Sequence, residues 1–560
     1  MSADISFFHE NMQDLVKKSI YFYHNSMQKE NFSGMRLKLS EWIKKFHEDC
    51  RTLTPAVEEA ISRLREPSCI LLMTAHQPNL LAYSGVLRKA TLNHVLSEKL
   101  SENLNLPVVS FFGIADQDFT DDRWVKSSLL PDVERRNGIL DLHIKLPERI
   151  MINRIPKPSR KLIDSWRNKI EDWLHQKTYS IKKFCENERI EFSVENIRQI
   201  NNLNYLWETV EESYAQAENY SDFNAFTMSK IINEVWGYDT LFCRFSECQQ
   251  IFEREFDFLL THFAQYSRYV KETSKVEDST GGRGTYEQEY QTLPFWYHCY
   301  CGSKARLLAD SQEDSIIGQG QCLNCKEEYT ISLLSKGQPN ISGILTGISA
   351  RSLAMPLVFF SGLGVCCYVG GVGGVNYLRQ AKYVADHMKI SFPPVVVWRP
   401  KDTYLGLSQL EAILTFKRLS GTFDLSKYSE SVAELNERVC NIENEINELE
   451  SQKTKLMKHT SIVREKVEEE IKNISTKQSR IRRQANFPIL AHNLKLLENV
   501  DRVLSLHSSI VDYALNIGLK ETSEQWIKFL NENGSLVSKI HLKTDLDEEF
   551  LHIRKEFEYD

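Results

Sequence analysis

The chain has 560 residues, of which 42% are hydrophobic and 26% charged, with a formal net charge of −7. That length exceeds one ordinary core, so several globular domains are expected, and the acidic balance makes nucleic-acid binding an unexpected role. Twelve cysteines are too few for a disulfide scaffold of this size. The polar, acidic start of the chain lacks the pattern of a signal peptide, so a cytoplasmic protein without membrane attachment is expected.

Residues 1–66 read as helices. Leu37, Leu39, Trp42, Ile43 and Phe46 fall near helical spacing, and Pro55 stands near the start of a further helix. Residues 67–125 change character. The apolar run CILLM at 69–73 has strand length and leads into a turn holding His76, Gln77, Pro78 and Asn79, then a helix with Arg88 and Lys89. A second strand, VVSFFGIA, ends in Asp116 and Asp118. Together these form a βαβ unit with polar groups at the carboxyl ends of its strands, where open α/β sheets bind ligands. His76 alone reads as a capping or core histidine; beside Gln77, Asp116 and Asp118 it reads as a site residue. The two aspartates alternate along the chain and so need not face the same way.

Residues 126–290 read as a helical connecting insertion, with aromatic and aliphatic residues at helical intervals in WRNKIEDWLHQ and EREFDFLLTHFAQY. The polar, glycine-rich segment 276–286 suits a flexible loop or a substrate lid. A zinc ribbon is expected over 291–335. Cys299 and Cys301, then Cys322 and Cys325, place two close thiol pairs on opposite arms of a hairpin. Four thiolates satisfy tetrahedral Zn²⁺ with no open position, which makes the expected zinc structural. His298 is an alternative ligand, and Gly302 relieves the tight first turn.

Residues 336–420 return to the α/β pattern. The stretch 352–378 carries no Asp, Glu, Lys, Arg or His and is long enough to span a bilayer. Its six glycines and Pro356 instead favour a buried strand at 365–369, a loop with Gly370, Gly371 and Gly373, and a helix from about Val375 bearing Tyr377, Gln380 and Lys382. Such a loop presents backbone amides to an anion. A further strand, PPVVVW, ends in Arg399. Between Gly421 and Pro488, Val432, Leu435, Val439, Ile442, Ile446, Leu449 and Leu456 recur three and four apart, with Lys453 breaking the seam between the last two, a heptad pattern over 421–488. A break near residues 457–461 permits an antiparallel hairpin; a continuous, dimerising rod is the other reading. Residues 489–560 read as helices.

Several blocks together resemble the bacillithiol-biosynthesis cysteine-adding enzyme family (BshC-like). Residues 368–382, YVGGVGGVNYLRQAK, are similar to its YVGGPGEIAYWAQLK block, and Arg351 to Pro356 stand where that family has an RPL motif. PVVVWR at 394–399 is similar to its PVVxPR strand. Thr74-Ala-His76-Gln77-Pro78 with Lys89 is similar to its TGQQxGL…YK block, and Ala115 to Phe119 to its ASEDHDF segment. Gly374 stands where the block carries an acid, and the zinc knuckle is an addition. Residues 76–79 also resemble the HQPN opening of WbqC-like sugar-pathway proteins.

The resemblance implies an α/β fold: a Rossmann-type parallel-sheet core, split by the helical insertion and zinc ribbon and followed by a long coiled coil used for homodimerisation. It implies a ligase of low-molecular-weight thiol biosynthesis that joins cysteine or another amino acid to an amine of an amino-sugar or similar acceptor through a nucleotide-activated carboxyl, with ATP as the activating nucleotide. His76 and Gln77 are then expected to polarise phosphate or carboxylate, and Asp116 or Asp118 to hold or deprotonate the amine. The loop amides, Asn79, Lys89, Arg351, Tyr377, Gln380, Lys382 and Arg399 are expected around the ligands. The alternatives are a nucleotidyl-transferring enzyme for another substrate and a non-catalytic scaffold derived from such an enzyme.

Overall fold

The computed structural model describes residues 9, 11–27, 32–190, 197–273, 291–312, 314–351, 353–398, 402–458, 464–484, 486–506 and 508–550. At its centre is a parallel sheet of five strands: β1 (Ile70–His76), β2 (Val108–Ile114), β3 (Leu241–Arg244), β4 (Val365–Gly370) and β5 (Val395–Val397). Their spatial order is β5-β4-β1-β2-β3. The chain moves outward from β1 through β2 to β3, then returns to the other side of β1 for β4 and β5. The order therefore reverses between β1 and β4, and in open parallel sheets the carboxyl ends of the strands at such a reversal are where ligands bind.

Alternation along each strand explains why both faces are buried. Leu72 and Phe112 pack into one apolar core with Leu92 and Leu96 of helix α1 (Ser84–Leu104). Leu71, Met73, Val109 and Phe111 enter the opposite core with Leu357 and Val358 of α2 (Ala354–Leu363) and Val384 of α3 (Val375–Met388). Strands covered on both faces read as continuous apolar runs. The uncharged stretch thus resolves into α2, β4, a short turn of helix at Val372–Gly374 and α3. Among the described residues no helix is long and apolar enough to cross a membrane.

Strand β3 lies inside the segment read from sequence as helical. Its four residues pair with Phe111 to Ile114 of β2, so that segment supplies an edge of the central sheet. Gly113 of β2 leaves room for the ring of Phe245: a Cβ there would lie 2.0 Å from Phe245 Cζ. Gly113→Ala is expected to destabilise the chain by roughly 1–3 kcal/mol through overpacking, read as a lower urea midpoint with an unchanged denaturant slope.

A separate six-stranded antiparallel sheet runs, in spatial order, through Gln338–Pro339, Glu328–Ser335, Ser315–Cys322, Lys304–Gln312, Phe295–His298 and Ile348–Ala350. Its first turn docks on the segment around residue 150: the Met151 amide donates to the Gly302 carbonyl at 2.9 Å, and the Ser303 hydroxyl to the Arg149 carbonyl. That segment is tied in turn to the loop after β2, because the amides of Ile152 and Asn153 donate to the carbonyls of Asp118 and Asp116, both at 2.9 Å.

Downstream, α4 (Tyr428–Lys458) and α5 (Arg464–Gln484) lie antiparallel. Gln478 Nε2 of α5 donates to the Ile446 carbonyl at 3.3 Å and to Glu450 Oε2 at 2.9 Å. Val439, Ile446 and Leu449 are buried along this seam, and α6 (Phe487–Ser505) packs beside α4. The seam residues meet a partner helix of the same chain.

Candidate functional site

Lys89, in the second turn of α1, is buried at the reversal point of the sheet. Its Nζ donates to the Ala75 carbonyl near the end of β1 at 3.3 Å. Its Cε and Nζ lie 3.3 and 3.4 Å from where a Cβ would stand on Gly371, just past β4. The lysine therefore bridges the two strand ends, and Gly371 serves a close approach; its φ of −104° is open to any residue. Burial lowers the Lys89 amine to about 7.

His76 is half-buried beside it. Its Nδ1 contacts the Gln77 carbonyl at 3.1 Å, and because a carbonyl can only accept, Nδ1 carries the proton and Nε2 is left as an acceptor. Loss of hydration, and then the charge of Lys89, lower His76 to about 3, so the ring is neutral. Asn79 is fully buried, and neither its side-chain Oδ1 nor its Nδ2 finds a hydrogen-bond partner among the described residues.

The opposite wall is built where the antiparallel sheet meets the core. Gln77 Nε2 donates to Asp118 Oδ2 at 3.2 Å, and the other oxygen of Asp118 lies 4.0 Å from Lys304 Nζ. Lys304 is buried, with its ammonium 5.0 Å from the centre of the Phe119 ring and 6.0 Å from that of Trp296. The Arg351 guanidinium sits 4.2 Å over Trp296. Burial is the main influence on Lys304; Asp118 and Asp116 oppose it, Arg351 adds to it, and the amine falls to about 8. Gly371, Lys89, His76, Gln77, Asp118, Lys304 and Arg351 thus follow one another through direct contacts or mutual fields.

Asp116 has a different setting. Its buried carboxylate accepts the Ser246 amide at 3.0 Å, the Ser246 hydroxyl and Asn153 Nδ2 at 3.3 Å. It fastens the helical turn after β3 to the loop after β2, and burial raises it to about 6. Lys382 pairs with Asp386 at 2.6 Å along α3. Gln380 is buried on the same helix. The Tyr377 ring folds over Gly374, 3.0 Å from where a Cβ would stand, and Gly370 ends β4, while Gly373 is exposed. Arg399 and the segment 276–286 lie outside the described residues. Sequence reasoning missed Lys304, Trp296, Asn153 and Ser246, none of which carries a local signal that marks it.

The second centre is the thiol cluster. The sulfurs of Cys299, Cys301, Cys322 and Cys325 all lie within 4.8 Å of one another, with Cys299–Cys325 at 3.4 Å and Cys301–Cys322 at 3.6 Å. Thiolates bound at about 2.3 Å to a tetrahedral ion stand about 3.8 Å apart, so the four sulfurs fit a closed metal site. The Asn324 amide donates to Cys322 Sγ at 3.4 Å, the kind of outer contact that orients a metal-bound thiolate. His298 is not part of this set: its Nε2 meets the Ser349 hydroxyl at 3.0 Å. The knuckles also grip the chain around Lys304, since the Cys299 amide donates to the Ser303 carbonyl and the Leu323 amide to the Lys304 carbonyl, both at 2.9 Å.

Compared with protein-family models and with curated proteins, the chain matches none.

Proposed function

We propose that the crevice at the ends of β1 and β4 is the active site of a BshC-like ligase, built on a Rossmann-type core, that joins the carboxyl of an amino acid to an amine. The observation that carries this reading is Lys89, an amine close to neutrality at physiological pH, held between a strand end and the glycine turn. A base of that pKa is suited to taking a proton from an attacking amine.

Amide formation needs an activated carboxyl, and ATP is the proposed activating nucleotide. The carboxylate oxygen displaces a phosphate-containing leaving group from the nucleotide. The acceptor amine then attacks the carbonyl carbon, the activated C–O bond breaks, and the amine loses a proton. In this crevice Lys304 and Arg351 offer positive charge to the carboxylate and phosphates. Asp118 holds the acceptor's ammonium group, and His76 accepts a hydrogen bond at Nε2. Lys89 takes the proton in its neutral form. Zinc is the metal proposed for the four thiolates, as a structural ion.

The test is incubation of the chain with ATP, cysteine and glucosaminyl-malate, followed by mass spectrometry for the amide and for nucleotide products. Cysteinyl amide with matching nucleotide cleavage is the expected result; neither product would end this reading. A second reading, a non-catalytic scaffold, draws on one observation: Tyr377 closes over Gly374, where the family's block carries an acid.

A further inference from the structure

The four thiols of the second centre are not equally placed. Of the chain's twelve cysteines nine are buried, while Cys325 and Cys440 are exposed and Cys301 is half-buried. Within the cluster Cys299 and Cys322 are the sheltered members, 4% and 1% exposed. Tyr300, between Cys299 and Cys301, stands 82% exposed, so with Cys325 it opens the outer side of the cluster to solvent. Each accessible sulfur faces a sheltered one on the opposite knuckle. Cys325 lies 3.4 Å from Cys299, and Cys301 lies 3.6 Å from Cys322.

A thiolate that solvent reaches is the one an oxidant meets first, and a second thiol beside it resolves the product to a disulfide. We infer that Cys325 is a site of reversible oxidation by hydrogen peroxide, and that the cluster then exchanges its metal ion for two disulfides, Cys299–Cys325 and Cys301–Cys322, without opening the fold. This rests on the zinc reading given above. The Cys325 thiolate attacks peroxide, the O–O bond breaks, sulfur is oxidised to a sulfenic acid, and the leaving oxygen takes a proton and departs as water. The Cys299 sulfur then displaces the sulfenic hydroxyl, which forms the S–S bond and releases a second water. Cys301 and Cys322 repeat the sequence with a second peroxide. In all, four thiolates, two peroxides and four protons give two disulfides and four waters, and the ion, left without ligands, departs. Closing each bond draws its pair of sulfurs together by about 1.5 Å. Both disulfides cross between the knuckles, as the ion does. They therefore keep the Leu323 amide on the Lys304 carbonyl and Lys304 beside Asp118. A disulfide within one knuckle, Cys322 to Cys325, leaves the two arms unjoined.

The experiment uses the full chain carrying Cys440→Ser, which leaves Cys325 as its one fully exposed thiol. Elemental analysis after loading with zinc counts the metal first; a chain that holds none ends the zinc reading and this inference with it. The loaded chain is then titrated with hydrogen peroxide. A chromogenic chelator follows free zinc, dimedone traps sulfenic acid, and mass spectrometry of unreduced peptides reads the disulfides. The expected result is loss of the whole zinc content for about two peroxides per ion, with dimedone on Cys325 at the lowest doses and both cross-knuckle disulfides at the end. Dithiothreitol should restore zinc binding. Hydrogen exchange over Lys304–Gln312 and Ser315–Cys322 should stay as slow as in the loaded chain, in contrast to the reduced chain stripped by a chelator. Zinc retained through the titration, a Cys322–Cys325 disulfide, or fast exchange after oxidation would overturn the inference and leave the zinc reading standing.

Discussion

A Lys89→Met chain is expected to fold, to be more stable than the unaltered chain at neutral pH and below, and to lose at least about a hundredfold in the amide-forming turnover proposed above. The stability part follows from linkage. In the folded chain the amine titrates near 7 instead of 10.5, so keeping it protonated in the fold costs on the order of 5 kcal/mol. Below pH 7 both states hold the proton and the folded state bears the whole cost. Between 7 and 10.5 the unfolded chain holds a proton that the folded chain has released, so the stability of the unaltered chain climbs with pH. The advantage of Lys89→Met should therefore be greatest at about pH 6 and shrink steadily towards about pH 10. Urea titrations across that range measure it, and a pH-independent advantage would show that the amine does not titrate there. Turnover of the unaltered chain should rise with pH through about 7 as Lys89 becomes the free base, and the methionine chain should lack this rise.

Removing the metal proposed for the four thiolates is expected to have the other large effect. Structural four-ligand sites contribute about 10 kcal/mol or more to the small units they hold. The cysteine knuckles join the ends of short strands whose own apolar support includes Leu307, Ile316 and Leu333. A strong chelator, or Cys322→Ser, should release the ion and unfold the antiparallel sheet locally. Elemental analysis would follow the metal, and hydrogen exchange should accelerate over Phe295–His298, Lys304–Gln312 and Ser315–Cys322 while β1 and β2 stay protected. Lys304 would lose its place beside Asp118, so ligand affinity in the crevice should fall as well. Unchanged exchange after complete metal loss would refute this coupling.

The features legible in the sequence were those with a local signature. Ile70 to Met73, Val108 to Ile114 and Val365 to Val369 are apolar runs that end in polar or glycine-rich turns, so the strands of the parallel sheet could be read directly. The thiol pairs were legible because metal coordination fixes their spacing. Strand β3 was not: Leu241 to Arg244 is a four-residue run among helices, and so short a run has no period that separates strand from helix. Asp116 and Asp118 looked alike because two carboxylates two residues apart carry no mark of which one meets Ser246 and which meets Gln77. Lys304 was invisible for a stronger reason. Its position is created by the docking of one sheet on another, and no neighbour in sequence records that.

The reversal of strand order also sets a timetable for synthesis. Strand β1 emerges early with β2, yet β4, which covers its other edge, follows roughly 290 residues later. At about 5–20 residues per second the ribosome needs roughly 15–60 s to supply it. Throughout that interval the open edge of β1 can pair with any extended chain it meets. Nascent chains that stop before Val365 should therefore be retained by chaperones or aggregate, whereas chains extended through residue 420 should escape both fates.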